Sequence, residues 1–325
     1  MNLRRYQTFL GVLAVMIVGL MALGAGVRTM NAGLSCPDWP LCFGKVIPDF
    51  HVGVWFEFVH RAYAGIVAIL FLVALIIALR SKDVPQATKT AAKWGLGFLS
   101  LQIVMGGLTV LLLVKAVIVT SHLLLATMFF GCVVWMWLGV RAAMHAEVPM
   151  GASHGAQMAG SASVRALSPA TVFLPAIVFF QIAIGGLVAS TYAGSVCVDW
   201  PLCNGKWVPT WKGAIGLQII HRFVAYGLVI LFVTLAGWAW RKKDELSPKA
   251  ARLFYTAGVI VVLQTIVGIM NLLYFIPPHI TVPHQTLAML LLATSLGLAF
   301  EQRAATTSLT SRVLENPVAE LAPLS

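Results

Sequence analysis

Residues 52–79 read VGVWFEFVHRAYAGIVAILFLVALIIAL, an unbroken apolar run whose only acidic or basic side chains are Glu57, His60 and Arg61. As a helix it would be about 42 Å long, enough to cross a hydrocarbon layer about 30 Å thick. Acidic and basic groups at membrane depth are costly, so these three are functional candidates from the outset. Seven further apolar runs of spanning length lie at 9–27, 94–114, 116–140, 170–189, 214–240, 253–276 and 280–300. The first leads into a polar, Cys-containing loop without a small-residue cleavage site, so it reads as a retained helix rather than a signal peptide. With 59% hydrophobic and 10% charged residues among 325, the sequence predicts a polytopic membrane protein.

The stretch around Glu57 returns 161 residues later as Gln218-Ile219-Ile220-His221-Arg222. The same offset relates Cys36-Pro37-Asp38-Trp39-Pro40-Leu41-Cys42 to Cys197-Val198-Asp199-Trp200-Pro201-Leu202-Cys203. An offset of 162 relates Leu101-Gln102 to Leu263-Gln264 and His122 to His284. Matches at one spacing across the chain indicate internal duplication. Each unit holds an even number of spans, so both copies enter the membrane from the same side. The expected fold is therefore all-α, with eight transmembrane helices forming two tandem four-helix bundles related by a pseudo-two-fold axis along the membrane normal. The divisions are an N-terminal bundle at 1–141, a cytoplasmic linker at 142–168 rich in Ala, Gly, Ser and Met, a C-terminal bundle at 169–303 and a cytoplasmic tail at 304–325.

A net charge of +11 could suggest nucleic acid, but its distribution argues against that partner. Basic residues gather at alternate helix ends, as at Arg4-Arg5, Arg80 to Lys93, Arg141, Arg241-Lys242-Lys243 and Arg303, which predicts cytoplasmic termini and Cys loops on the outside. On that oxidising side each Cys-x5-Cys loop is expected to close as a disulfide, Cys36–Cys42 and Cys197–Cys203. Either bridge could be a staple for its Asp-Trp-Pro turn, and the first, beside Glu57, could also exchange redox equivalents.

His60 and His122 lie on different helices of one repeat, near their outer ends, and His221 and His284 stand likewise in the other. A lone membrane histidine commonly hydrogen-bonds a neighbouring helix. Two at matched depth on facing helices, twice over, suit axial ligation of haem iron. Zinc or copper fits less well, because no further Cys or carboxylate accompanies either pair in the membrane. Glu57 precedes His60 by three residues and shares its helix face, where it could take a proton, offset positive charge on a porphyrin, or pair with Arg61 or Arg28. Gln218 holds the matching place and cannot titrate. Arg61 and Arg222 could meet haem propionates or snorkel to the headgroups. Cys132 reads as packing, and His51, His279, His145 and His154 as solvated.

Together the eight spans in two bundles, the Glu-x-x-His-Arg of residues 57–61, the histidines at 122, 221 and 284 and the two Cys-x5-Cys loops resemble the heme A synthase family. The resemblance extends from Arg4 to about Arg303, apart from the linker. It implies oxidation of the C8 methyl group of heme O to a formyl group, giving heme A for cytochrome c oxidase. It implies His60 and His122 about the substrate haem, His221 and His284 on a permanent heme B, Glu57 as the catalytic carboxylate and Cys36–Cys42 as the functional disulfide. It further implies a bacterial-type cell membrane setting, a heme O synthase and oxidase-assembly factors as partners, and leaves room for a homo-oligomer. Two rivals compete with it. A di-haem b-type electron carrier or quinol oxidoreductase gives no role to a Glu present in one repeat. A proton-coupled transporter predicts helices broken in mid-membrane, which the sequence lacks.

Overall fold

Eight long α-helices carry the chain in the computed structural model, which describes the backbone of residues 1–146 and 154–315 and the side chains of 1–144 and 171–303. They are α1 (Leu3–Thr29), α2 (Val52–Arg80), α3 (Gln86–Leu111), α4 (Ala116–Ala146), α5 (His154–Ser190), α6 (Gly213–Arg241), α7 (Pro248–Leu273) and α8 (Pro278–Glu315). All eight are long and apolar enough to cross a membrane. Local chemistry sets several ends. The Asn2 side chain accepts from the Arg5 N–H at 2.9 Å, and Ser247 caps α7 ahead of a proline at its first position. Large apolar side chains on the outward faces, such as Ile69 of α2 and its repeat counterpart Ile230 of α6, are 64% and 68% exposed, as suits lipid rather than water.

Packing follows the duplication. In the first half α1 contacts α2, α2 contacts α3, α3 contacts α4 and α4 returns to α1. Helices α5 to α8 close the same ring. Between the halves α1 meets α8, α4 meets α5, and α4 meets α8. Exchanging the halves turns the first of these contacts into the second and leaves the third unchanged, which is the pattern of a pseudo-two-fold axis running between α4 and α8. Hydrogen bonds stitch this seam: Gln285 of α8 donates to the Met21 carbonyl of α1 at 3.1 Å, and Thr120 and Ser190 share a bond of 2.8 Å.

The segment predicted as linker is helical at both of its ends. Helix α4 runs on to Ala146 and α5 begins at His154, while residues 147–153 lie outside the described residues. An Ala- and Met-rich composition favours helix as readily as it suits a tether. Similarly, α8 continues to Glu315 through the first part of the predicted tail, and residues 316–325 are outside the description.

Candidate functional site

All four site histidines are held in one way. The ring of His60 on α2 lies against Gly24 of α1, where a Cβ would stand 3.0 Å from its Cε1. His122 of α4 lies against Gly106 of α3 at 3.1 Å, His221 of α6 against Gly185 of α5 at 3.0 Å, and His284 of α8 against Gly268 of α7 at 2.7 Å. Only glycine lets an imidazole settle so close to a neighbouring helix backbone. The four glycines repeat at the offsets of their histidines. Gly106 and Gly185 stand out in the sequence beside Gly107 and Gly186, but Gly24 and Gly268 do not. Extending the repeat alignment to every glycine would have found them.

Each pair spans its bundle diagonally, on α2 and α4 or on α6 and α8, helices that face each other across the ring. Gln102 Nε2 sits 3.2 Å from His122 Nε2, and Gln264 Nε2 sits 3.3 Å from His284 Nε2. His284 Nδ1 also reaches the Gln264 carbonyl at 3.1 Å. The Nδ1 atoms of His60, His122 and His221 are buried without a partner. Buried nitrogens left in that condition mark a site built for something more than packing. Among the described residues no three His, Cys, Asp or Glu side chains gather into one cluster. That donor set, two imidazoles on facing helices, each seated against a glycine of a neighbouring helix, fits a haem held by two histidines better than a tetrahedral zinc.

Glu57 is where the halves part. It is 4% exposed; its Oε2 accepts from the Cys36 N–H at 2.9 Å and its Oε1 from the Arg61 guanidinium at 2.5 Å. Arg61 in turn donates to the carbonyls of Asp38 and Leu41, both at 2.7 Å, and of Cys36 at 3.3 Å. The sequence left Arg28 open as a partner for Glu57, but Arg28 instead donates across the seam to the Ala189 carbonyl at 3.1 Å. In the second half Arg222 grips the matching carbonyls of Leu202 at 2.7 Å and Cys197 at 3.0 Å. Gln218, 6% exposed, has an amide oxygen with no partner. Both arginines thus direct donors at their Cys loops.

Those loops share a scaffold. Cys36–Cys42 and Cys197–Cys203 are both bonded, with S–S distances of 2.05 and 2.00 Å. Asp38 accepts from the N–H groups of Phe43 at 2.6 Å and Gly44 at 2.7 Å, where the chain turns through positive φ. The Gly44 and Phe43 N–H groups and the nearby Arg61 charge hold the Asp38 carboxyl below its ordinary range. Asp199 repeats this with Asn204 and Gly205, with the same lowering. Elsewhere, Cys132 is a free, half-buried thiol on α4, and His51 and His279 are exposed. The side chains of His145 and His154 lie outside the described residues.

Two duplicated four-helix bundles, each with a transverse histidine pair and a disulfide loop, define a polytopic membrane protein whose first pair has the buried carboxylate of Glu57 three residues before it, where the second has Gln218. Comparison with known proteins narrows this further. Residues 7–296 match the family described as Cytochrome oxidase assembly protein. The chain is 29% identical to the Heme A synthase of Caulobacter vibrioides over 351 aligned positions, covering 92% of this chain and 96% of that one. It is 33% identical to the Heme A synthase of Shouchella clausii, covering 71% and 73%. It is 26% identical to that of Shewanella oneidensis, covering 85% and 90%. The chain belongs to the heme A synthase family.

Proposed function

We propose that this chain oxidises the C8 methyl group of heme O to a formyl group in its N-terminal half, residues 1–141, and carries a permanent heme B in its C-terminal half, residues 169–303. His60 and His122 hold the substrate from opposite sides and fix the height of its ring within the bundle. His221 and His284 hold heme B, which when bound supplies one-electron transfer. The observation that supports this division is the contrast between Glu57, tied to Cys36 and Arg61, and Gln218, whose amide oxygen is left alone.

Turning a methyl into a formyl group is a four-electron oxidation that also adds an oxygen atom, in balance CH3 + H2O → CHO + 4 H+ + 4 e−, so protons must leave the reacting carbon and electrons must pass to an external acceptor. A carboxylate buried beside the ring can accept a proton there, or offset positive charge on the porphyrin, where water cannot screen it. Arg61 holds one oxygen of Glu57 and the Cys36 N–H the other, so the acid is oriented before substrate arrives. Gln218 offers the second half neither function, which suits retention and electron transfer. The carbonyl grip of Arg61 and Arg222 holds the Cys loops in place; of the Arg61 guanidinium only the Nε–H is left to meet a haem propionate, while Arg222, which has no carboxylate to hold, has more donors left for one.

In the membrane, the basic helix ends put both termini in the cytoplasm and the Cys loops outside, in a bacterial-type cell membrane. A heme O synthase would supply the substrate and an apo-oxidase under assembly would take the product; the chain can work as a homo-oligomer in doing so. The test is haem extraction and chromatography of purified protein made with a heme O supply. His60→Ala should empty the protein of heme O and heme A while heme B stays, and His221→Ala should do the reverse. Loss of heme B from His60→Ala with heme O retained would invert the assignment.

A further inference from the structure

One arginine lies between the two halves without a carboxylate to answer it. Arg28 is in the last turn of α1, one turn beyond Gly24, the glycine against which the His60 ring rests. Residues 21, 24 and 28 share one stripe of α1 by helical spacing. At Met21 that stripe takes a hydrogen bond of 3.1 Å from Gln285, the neighbour of His284 on α8. At Gly24 it receives His60, and at Arg28 the guanidinium donates to the Ala189 carbonyl of α5 at 3.1 Å. Ala189 stands one turn beyond Gly185, the seat of His221. The next residue, Ser190, bonds Thr120, two residues ahead of His122. Short steps along these helices thus lead from Arg28 to all four histidines.

Residues 28 and 189 are also counterparts, related by the offset of 161 that relates His60 to His221. A pseudo-two-fold axis runs midway between counterparts, so a side chain that bonds its own counterpart crosses that axis. The counterpart is Ala, so the axis carries one cation with no second to repel it. Arg28 is half-buried, and among the described residues its guanidinium makes this one hydrogen bond and no ion pair. A charge at a spanning helix is costly unless an anion joins it, and a guanidinium presents its donors in a planar fork that fits a carboxylate. The loop arginine of the first half is already given over to Glu57 and to the carbonyls of Cys36, Asp38 and Leu41.

We propose that Arg28 is a carboxylate site shared by the two halves, binding one propionate of the haem in each. This rests on the assignment of substrate and resident haem made above, and it adds a charge common to both. Gly24 and Gly185 mark the heights of His60 and His221, and residues 28 and 189 stand about 6 Å further along their helices toward the Cys loops. A haem seated on those histidines with its propionates toward the loops brings a carboxylate to the axis from either side. One cation then answers an anion from each half, where Arg61 has little left to offer and Arg222 serves the second half alone.

The test is haem titration of purified, haem-free protein in detergent, followed by the Soret band. Each haem is compared with its dimethyl ester, in which both propionates are capped. A His60→Ala background reports the second site with heme B, and a His221→Ala background reports the first with heme O. Arg28→Gln keeps an N–H for the Ala189 carbonyl and removes the charge. It should weaken the free-acid haem about tenfold at both sites, the lower end of what one hydrogen bond to a charged group supplies, and leave the affinities of the esters unchanged. Equal loss for acid and ester overturns the proposal and leaves Arg28 a tie across the seam or a partner of lipid headgroups. An acid-specific loss at one site only, or no loss at either, overturns it too. If Arg28→Gln does not purify as folded protein, Ala189→Glu decides. Its carboxylate at the axis should weaken the acid and spare the ester at both sites, and equal effects on the two overturn the proposal. The backgrounds test the underlying assignment separately. If heme O binds His60→Ala and not His221→Ala, the two sites are assigned the wrong way round and the proposal falls with them; if the backgrounds behave as expected and acid and ester still respond alike, only the shared arginine fails.

Discussion

Removing Arg61 tests how the first half differs from the second. Among the described residues its guanidinium is the only side-chain partner of a carboxylate, Glu57, whose side chain is 5% exposed, and it is itself 16% exposed. Arg61→Met therefore leaves Glu57 buried with a single backbone N–H. Breaking a buried pair from one side costs about 3–5 kcal/mol, because the remaining charge is uncompensated. The carbonyls of Cys36, Asp38 and Leu41 lose their donor as well, but those near the surface can turn to water. Arg222→Met frees only two carbonyls, about 1–3 kcal/mol in all, since no carboxylate is stranded. At about 2–4 °C per kcal/mol for a bundle of this size, Arg61→Met should lower Tm by on the order of 10 °C and Arg222→Met by about half that or less. Glu57→Gln should rescue part of the loss: in a double-mutant cycle the pair should show a coupling of about 1–3 kcal/mol. The assay is thermal unfolding in detergent at matched haem content. Equal losses from the two arginines, with no coupling to Glu57, would refute the contrast between the halves.

The remaining predictions concern the loops and the glycines. Ser substitutions at Cys36 and Cys42 should cut heme A yield more than those at Cys197 and Cys203 at equal protein level, because only Cys36 holds Glu57; equal, small effects would reduce both bridges to staples. Gly268→Ala puts a Cβ 2.7 Å from His284, so extracted heme B should fall several-fold while heme O binding persists; full heme B would show that the ring does not need that recess. Asp38 and Asp199 have lowered folded values, so their hold on the loops is complete above the ordinary 3.8 and weakens as pH falls through the lower folded range. Loop proteolysis in the intact, oxidised protein should rise only in that acid range, and an onset near neutral pH would exclude these carboxylates as its cause.

Much of this was legible in the sequence because membranes simplify reading. The eight spans, the repeat, the histidines and the lone Glu57 stand out against an apolar background that offers few other polar groups. Helix ends were harder. The run 94–114 predicted a helix through Val114, but α3 stops at Leu111 and Leu113 and Val114 take left-handed φ. Phe275 and Ile276 repeat that turn after α7. Apolar residues gave no sign of it, since the turn is set by the tight return of the next helix rather than by local propensity. At its start α3 reaches back to Gln86, because a polar interfacial turn with Lys89 and Lys93 extends the helix beyond its apolar part. The grip of Arg61 on three loop carbonyls and the four glycine recesses join residues far apart in the chain, and residue type alone does not disclose such contacts.

The central claim is that a carboxylate at residue 57, and not merely a polar group of its shape, makes the first half reactive. Glu57→Gln tests it most directly, because it gives the first half the residue that the second half already carries at Gln218. The amide can still accept from the Cys36 N–H and Arg61 keeps its three loop carbonyls, so folding and haem content should stay closer to those of the parent than in Arg61→Met. Chromatography of the extracted haems should then show heme B and heme O at parental levels with heme A absent or reduced at least about a hundredfold, the usual scale of an acid–base contribution. Heme A accumulating as in the parent would contradict the account and leave Glu57 as no more than the partner of Arg61.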